Sequence, residues 1–179
     1  MRVFFAVLCL LPLSLSAAGG APPAPLLEVA IVDLTIVDNS YGGDSDELAE
    51  WLRDQEIDPT RLLREAIVRT ETYAAFDDAP LVESVPEPRV AGALAEAGTF
   101  AAACHVDCAL TVGRTLGADR VITGEVTKLS TLIWFVTARV VDVKSGKVLR
   151  QDELEVKGVI QDMMPQVMAS LSRRMVLAG

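Results

Sequence analysis

Cys104-His105-Val106-Asp107-Cys108 is the one stretch of this sequence where soft, titratable side chains crowd together. Three chemistries could use it. In an oxidising compartment an even pair of cysteines most simply forms a disulfide. The loop is small, so its entropic contribution would be only about 2 kcal/mol, and its role would be to pin a helix entrance. Alternatively, Cys104, His105 and Cys108 could ligate a metal, but a fourth ligand is not identifiable and the spacing is not that of a usual zinc site. A thiol oxidoreductase would want a nucleophilic cysteine of lowered pKa, commonly in Cys-x-x-Cys, and this pair is spaced one residue wider.

Other constellations are weaker. Asp38, Asp44, Asp46 and Glu47 supply oxygens suited to a hard cation such as calcium. They do not match the EF-hand loop, and acids at a helix start ordinarily cap it and face its positive end. Met163, Met164, Met168 and Met175 offer thioethers, which suit Cu(I). Most of them fall on one apolar stripe, which points to core packing or an adaptable contact face. His105 is the sole histidine, so a Ser-His-Asp triad would have to use it. No Gly-x-Ser-x-Gly elbow, P-loop or Gly-x-Gly-x-x-Gly run accompanies it. The expectation is therefore no catalytic residue, no cofactor and no enzyme.

Compartment follows from the first residues. Arg2 precedes an apolar run from Val3 to Leu15, about a dozen residues and too short to span a bilayer. Small residues follow at Ser16-Ala17-Ala18-Gly19-Gly20. Residues 1–20 thus read as a secretory leader, cut after Ala17 or Ala18, which predicts a periplasmic protein; a retained membrane anchor is the alternative, which the short apolar run disfavours. Cys9 would leave with it. Residues 21–25 form a Pro-Ala tether, and residues 26–179 are long enough for a single domain with a substantial core. The chain carries a formal charge of −9, and losing Arg2 takes it to −10. That acidity, without a basic patch, excludes ordinary nucleic-acid binding, which rests on Lys and Arg displacing counterions from phosphates.

The elements that would hold these groups can be read in order. Leu26 to Val37 is a strand apolar on both faces, with Leu27, Val29 and Ile31 on one and Ala30, Val32 and Leu34 on the other, as in a central strand covered by helices. Asp44 or Ser45 caps a helix with Leu48, Trp51 and Leu52 inward. Asp58-Pro59 restarts a helix to about Thr70, buried through Leu62, Leu63, Ala66 and Ile67. Thr72–Phe76 reads as a strand, Asp77–Pro88 as a loop and Val90–Ala97 as a helix ended by Gly98. Asp107 is a plausible N-cap for a helix from Cys108 to Leu116, with Gly117 in the left-handed position beyond it. Arg120–Thr127, Thr131–Asp142 and Lys147–Val156 are strands joined so closely that they must form an antiparallel meander. Gly124 implies a close backbone approach, and Gly146 a positive φ in the turn that Asp142 begins. Leu132, Trp134, Val136, Ala138 and Val140 share one face of the second strand; Val148, Leu154 and Val156 point inward from the third. A last helix starts near Asp162, where Pro165 is tolerated in the first turn, and is buried through Ile160, Met164, Val167, Met168, Leu171 and Met175.

Leu116-Gly117-Ala118-Asp119-Arg120-Val121-Ile122-Thr123-Gly124, the following Val126–Ser130, and Val141-Asp142-Val143-Lys144-Ser145-Gly146-Lys147-Val148 together form a pattern. It resembles an uncharacterised family of secreted bacterial proteins, a domain of unknown function, and is more distantly similar to the amino-terminal domain of TolB and to CsgG. The resemblance implies an α/β fold of the α+β type: a mixed sheet of about five strands ending in the meander, with helices packed on it. It makes Gly117, Asp119, Gly124, Asp142 and Gly146 structural turn residues. It further implies a role in envelope assembly through contact with an envelope protein or with itself. The chain departs from the family's habit at Thr131, where an Asn is common, and in the run Lys157–Asp162.

Overall fold

A computed structural model describes residues 27–74, 82–84, 87–96 and 104–176. The leader and tether expected over residues 1–25 lie outside the described residues. Strand β1 is Leu27–Ile31 and β2 is Thr35–Asp38; helices α1 (Ser45–Asp54) and α2 (Pro59–Ala74) follow. Then come β3 (Val82–Ser84), α3 (Glu87–Glu96), α4 (Val106–Leu116), β4 (Arg120–Lys128), β5 (Ile133–Asp142), β6 (Val148–Lys157) and α5 (Ile160–Val176). Among the described residues the sheet has six strands in the order β3-β1-β4-β5-β6, with β2 also paired to β4. β1 pairs in parallel with β3 and with the first residues of β4; β2 pairs in parallel with its last. The β4-β5-β6 meander is antiparallel, which makes the sheet mixed, as expected.

Each face of the sheet has its own core. On one, Val29, Ile31, Ile122, Trp134 and Val136 pack with Leu52 of α1, Leu63 and Ile67 of α2, and Met164, Met168 and Leu171 of α5. On the other, Ala30, Val32, Val121 and Val141 pack with Val90 of α3 and with Ala109 and Val112 of α4. The full expected stripe of α5, from Ile160 to Met175, is buried. Deleting one such side chain typically costs about 2–5 kcal/mol. Among the described residues no helix is long and apolar enough to cross a membrane.

Several expectations need correction. The single strand over Leu26–Val37 is two, because the chain leaves the strand conformation at Val32–Leu34, where the Leu34 amide donates to the buried Thr60 hydroxyl at 2.9 Å. The break shifts the alternation, so Leu34 joins the Val29/Ile31 core instead of the Ala30/Val32 one. The strand expected at Thr72 is the end of α2, since adding one turn to an existing helix outweighs the β preference of Thr72 and Tyr73; residues 75–76 lie outside the described residues. Within the expected Asp77–Pro88 loop, β3 pairs with β1, a strand made by its neighbour rather than by its own propensity. Helix α3 begins at Glu87, ahead of Val90.

The N-cap of α4 is His105, not Asp107, and it makes no side-chain cap bond; Asp107 lies in the first turn, where its charge suits the helix end. Leu132 sits in the β4–β5 turn, held there by the Ser130 hydroxyl, and is exposed. Trp51 is half out of its helix's buried face. Val148 is exposed because β6 carries one extra residue, Leu149, opposite Val140–Val141, and this bulge turns Val148 away from Leu154 and Val156. Helix α5 starts at Ile160, which places Pro165 in the second turn and leaves the Gln161 carbonyl without its helical donor. Both residues are exposed, so that carbonyl can face solvent.

The turn residues close the framework. The Asp119 carboxylate accepts from the Glu28 amide at 3.0 Å, while its own amide donates to the Glu28 carbonyl at 2.9 Å, tying β4 to β1. Asp142 Oδ1 accepts from the Ser145 amide at 2.7 Å, and Gly146 takes φ +70°. A Cβ at Gly124 would lie 2.2 Å from the Thr137 carbonyl oxygen and 2.9 Å from Leu34 Cδ2. Gly124→Ala is therefore expected to lose about 1–3 kcal/mol in urea unfolding. Gly92→Ala, which faces open space on α3, is expected to be neutral or to gain up to about 1 kcal/mol. Equal stability of the two variants would contradict the close approach.

Candidate functional site

A single row of residues crosses the sheet at the carboxyl ends of β2 and β4. Asp38 is in register with Lys128, Lys128 with Trp134, and Trp134 with Val156. Lys128 Nζ lies 2.7 Å from Asp38 Oδ2, with the two side chains only 21% and 5% exposed. Lys128 and Asp38 thus neutralise each other at the sheet's end. The Asn39 amide donates to the Lys128 carbonyl, and the Asp38 amide to the Ser45 hydroxyl, fixing the pair from the backbone as well.

The loop after Asp38 is built around that carboxylate. Asp38 Oδ1 accepts from the Ser40 amide at 2.9 Å and from the Ser40 hydroxyl. Gly42 has φ +71°, and a Cβ at Gly43 would fall 2.3 Å from Asp38 Oδ1. The two glycines therefore let the chain fold back tightly onto Asp38. Asp44 then caps α1 by accepting from the Asp46 and Glu47 amides, both on Oδ1.

Above the row lies a cleft of about 560 Å³. Trp134 lies at its base, buried to 1% exposure, and its indole N–H has no acceptor among the described residues. Leu48 and Trp51 of α1 form one wall, Thr131 and Leu132 of the β4–β5 turn another, and Val159-Ile160-Gln161 at the start of α5 a third. Tyr41 projects fully into solvent at the rim, and Trp51, Leu132 and Val159 are 40%, 56% and 53% exposed. Leu129 and Ile133, in and beside the same turn, are exposed as well.

Two carboxylates have shifted acidity. Burial by itself would raise the Asp38 carboxyl, but the Lys128 ammonium and the Ser40 hydroxyl and amide outweigh it and hold the group below its ordinary 3.8. The Ser145 hydroxyl and amide hold Asp142 below 3.8 too, against burial, with Arg120 and Lys144 adding attraction.

The residues singled out in the sequence sit elsewhere or serve other ends. Cys104 and Cys108 form a disulfide across 5.2 Å between Cα atoms and pack against the core shared by α3 and α4, on the opposite face of the sheet from α1 and α5. With each sulfur bonded to the other, neither is a thiolate able to ligate metal or attack a substrate. His105 is exposed at the start of α4. Asp38 is committed to Lys128 and Asp44 to its helix, and Asp46 and Glu47 lie in the first turn of α1. No group of three or more His, Cys, Asp or Glu among the described residues is arranged to hold a metal ion. Met164, Met168 and Met175 are buried in the core, and Met163 packs partly against it. The cleft itself escaped the sequence reading. Its signals were present in Gly42-Gly43 beside a strand-ending Asp38, and in Leu129 and Leu132 inside a turn.

Residues 27–175 match the model of a family described as "Protein of unknown function (DUF2380)". No curated protein matches. Among solved structures, the LpoB C-terminal domain from Salmonella enterica is similar at 13% identity and a TM-score of 0.45, over 79% of this chain and 88% of that one. Lipoprotein GNA1162 from Neisseria meningitidis is similar at 16% identity and a TM-score of 0.45, over 82% and 94%. TolB from Acinetobacter baumannii is similar at 14% identity and a TM-score of 0.44, over 84% of this chain and 27% of that one.

Asp38 binds a proton less readily folded than unfolded, so its contribution to stability is complete above 3.8 and is lost as pH falls below it. Asp38→Asn is expected to lower stability at neutral pH by about 1–3 kcal/mol, since a hydrogen-bonded charge is removed and Lys128 is left unpaired. The variant should also fall less steeply than the parent as the pH is lowered below 3.8. Urea unfolding across that range checks both; parallel curves of equal height would refute the pairing. Cys104→Ser is expected to cost about 2 kcal/mol, the small-loop value, in the same measurement.

Proposed function

This chain belongs to that family of proteins of unknown function, and we propose that it is a non-enzymatic periplasmic accessory protein acting through protein–protein contacts in cell-envelope assembly or transport. The cleft bounded by Leu48, Trp51, Leu132, Trp134 and Val159 is its contact surface. Residues 1–20 are a leader removed on export, residues 21–25 a tether, and residues 26–179 one α/β domain.

The observation that carries this reading is the concentration of exposed apolar side chains around one concave site. Tyr41, Trp51, Leu132 and Val159 border the same cleft. Isolated apolar residues on a surface are ordinary, but several meeting at a groove are characteristic of a binding site. Covering them returns roughly 25 cal/mol for each Å² of apolar surface removed from water. Trp51 on the wall and Tyr41 at the rim suit the anchor role that aromatic residues play at interfaces.

The charged groups support the same reading. Asp38 and Lys128 pair with each other, Asp44 and Asp58 cap helices, and Asp119 and Asp142 build turns. These are structural uses. The Cys104–Cys108 disulfide suits an oxidising compartment, in keeping with the leader-like residues 1–20.

The test is photo-crosslinking in the periplasm of the native host, with the crosslinker placed at Leu132 and, as a control, at the exposed Val68 of α2. We expect a discrete, stoichiometric product from position 132 and none from 68. Trp51→Ala should remove that product while circular dichroism shows the protein still folded. Products of equal yield from both positions, or none from 132, would refute the cleft as the contact surface.

A further inference from the structure

Resting on the cleft as a contact surface, we infer that its occupant is a cationic segment of another protein: an aromatic or aliphatic side chain flanked by Lys or Arg. The charges lining the cleft are Asp38, Asp44, Glu47 and Lys128. Asp38 and Lys128 cancel at 2.7 Å. What remains is Asp44 and Glu47, both exposed, and no cation among the described residues pairs with either. Asp44 uses only Oδ1 for its capping bonds, so its second oxygen is not engaged by them.

The charge extends along the wall. Helix α1 carries Asp46, Glu47, Glu50 and Asp54 against a single Arg53. Glu47 and Asp54 lie four residues before and three after Trp51, on the same face of the helix. A ligand side chain seated against Trp51 would therefore hold its flanking cations beside carboxylates. Those cations could also stack on the rings of Trp51 and Tyr41. The cleft volume suits one large apolar side chain with its neighbours.

Two other occupants fit less well. An acidic segment would find Lys128 already neutralised and Asp44 occupying the start of α1. A second copy would bring the same acidic wall against itself, on a chain of net charge −9 with its leader and −10 without it. Like charges placed across an interface cost affinity and suppress association.

The probes are short synthetic peptides with blocked ends: a Phe-Leu centre flanked by lysines, the same centre flanked by glutamines or by glutamates, and the lysine peptide with Ala-Ala at its centre. Binding to the mature protein is read by calorimetry. The lysine peptide with its Phe-Leu centre should bind at least about tenfold tighter than each of the others and weaken with added salt. The Asp44→Asn/Glu47→Gln variant should lose that advantage, and it should stay folded because Asn caps a helix as well as Asp does. Trp51→Ala should also lose it, whereas Glu153→Gln/Glu155→Gln, on exposed β6 positions, should keep it.

If the glutamine or glutamate peptide binds as tightly and Trp51→Ala abolishes this, the charge inference falls and the cleft survives. If Glu153→Gln/Glu155→Gln weakens binding as much as Asp44→Asn/Glu47→Gln, the attraction is diffuse and the inference falls. If no peptide binds and sedimentation shows a dimer that Trp51→Ala dissociates, the occupant is a second copy. If no peptide binds and crosslinking from Leu132 also fails, the cleft reading itself falls.

Discussion

The fold depends on β4 being hydrogen-bonded along both edges. β1 and then β2 run parallel to it on one side, and β5 runs antiparallel along its whole length on the other. Its side chains feed both cores, Val121 into one and Ile122 and Val126 into the other. Gly124 is where the packing is tightest, since the Thr137 backbone and Leu34 occupy the space a side chain would need. Because β4 is held this way, its last residue, Lys128, is placed beside Asp38 with little freedom. The base of the cleft inherits its shape from the ladder rather than from the loops around it.

That relation explains how a surface site can be apolar without being loose. The Asp38–Lys128 pair is nearly buried, which would be unfavourable for either partner alone. Ser40 supplies further hydrogen bonds, and the paired glycines bring the loop close enough to make them. The pair anchors the start of the loop that carries Tyr41 and leads into α1. The acidic character of the cleft then comes from α1, whose carboxylates stabilise its own amino end. Helix formation and the ligand preference proposed for the cleft thus draw on the same residues.

Much of the architecture was legible in the sequence because it rests on local rules. The α5 stripe, the left-handed Gly117, the meander and the close approach at Gly124 each follow from periodicity or a single turn residue, and the α1 cap was narrowed to Asp44 or Ser45. The misreadings share a different cause. β3 exists because β1 offers an edge; Leu34 changes core because of a break stabilised by Thr60, distant in sequence; Val148 is turned out by a bulge at Leu149. These are tertiary effects, and no window of neighbouring residues contains them. The candidate site was missed for the same reason. Its row joins residues from four strands, and none of Asp38, Lys128, Trp134 or Val156 is distinctive alone. The eye-catching Cys-His-Cys segment instead ends in a bond between its own two sulfurs.

The position of β6 at the end of the strand order has one more effect. Among the described residues no strand lies beyond it, and such an edge presents backbone donors and acceptors to which another chain can pair. Here the side chains on its outer face are Gln151, Glu153, Glu155 and Lys157, all exposed. Another molecule of the same protein, laid antiparallel about the strand's middle, would set glutamate against glutamate. In that register ordinary repulsion between these carboxylates disfavours edge-to-edge pairing of two copies.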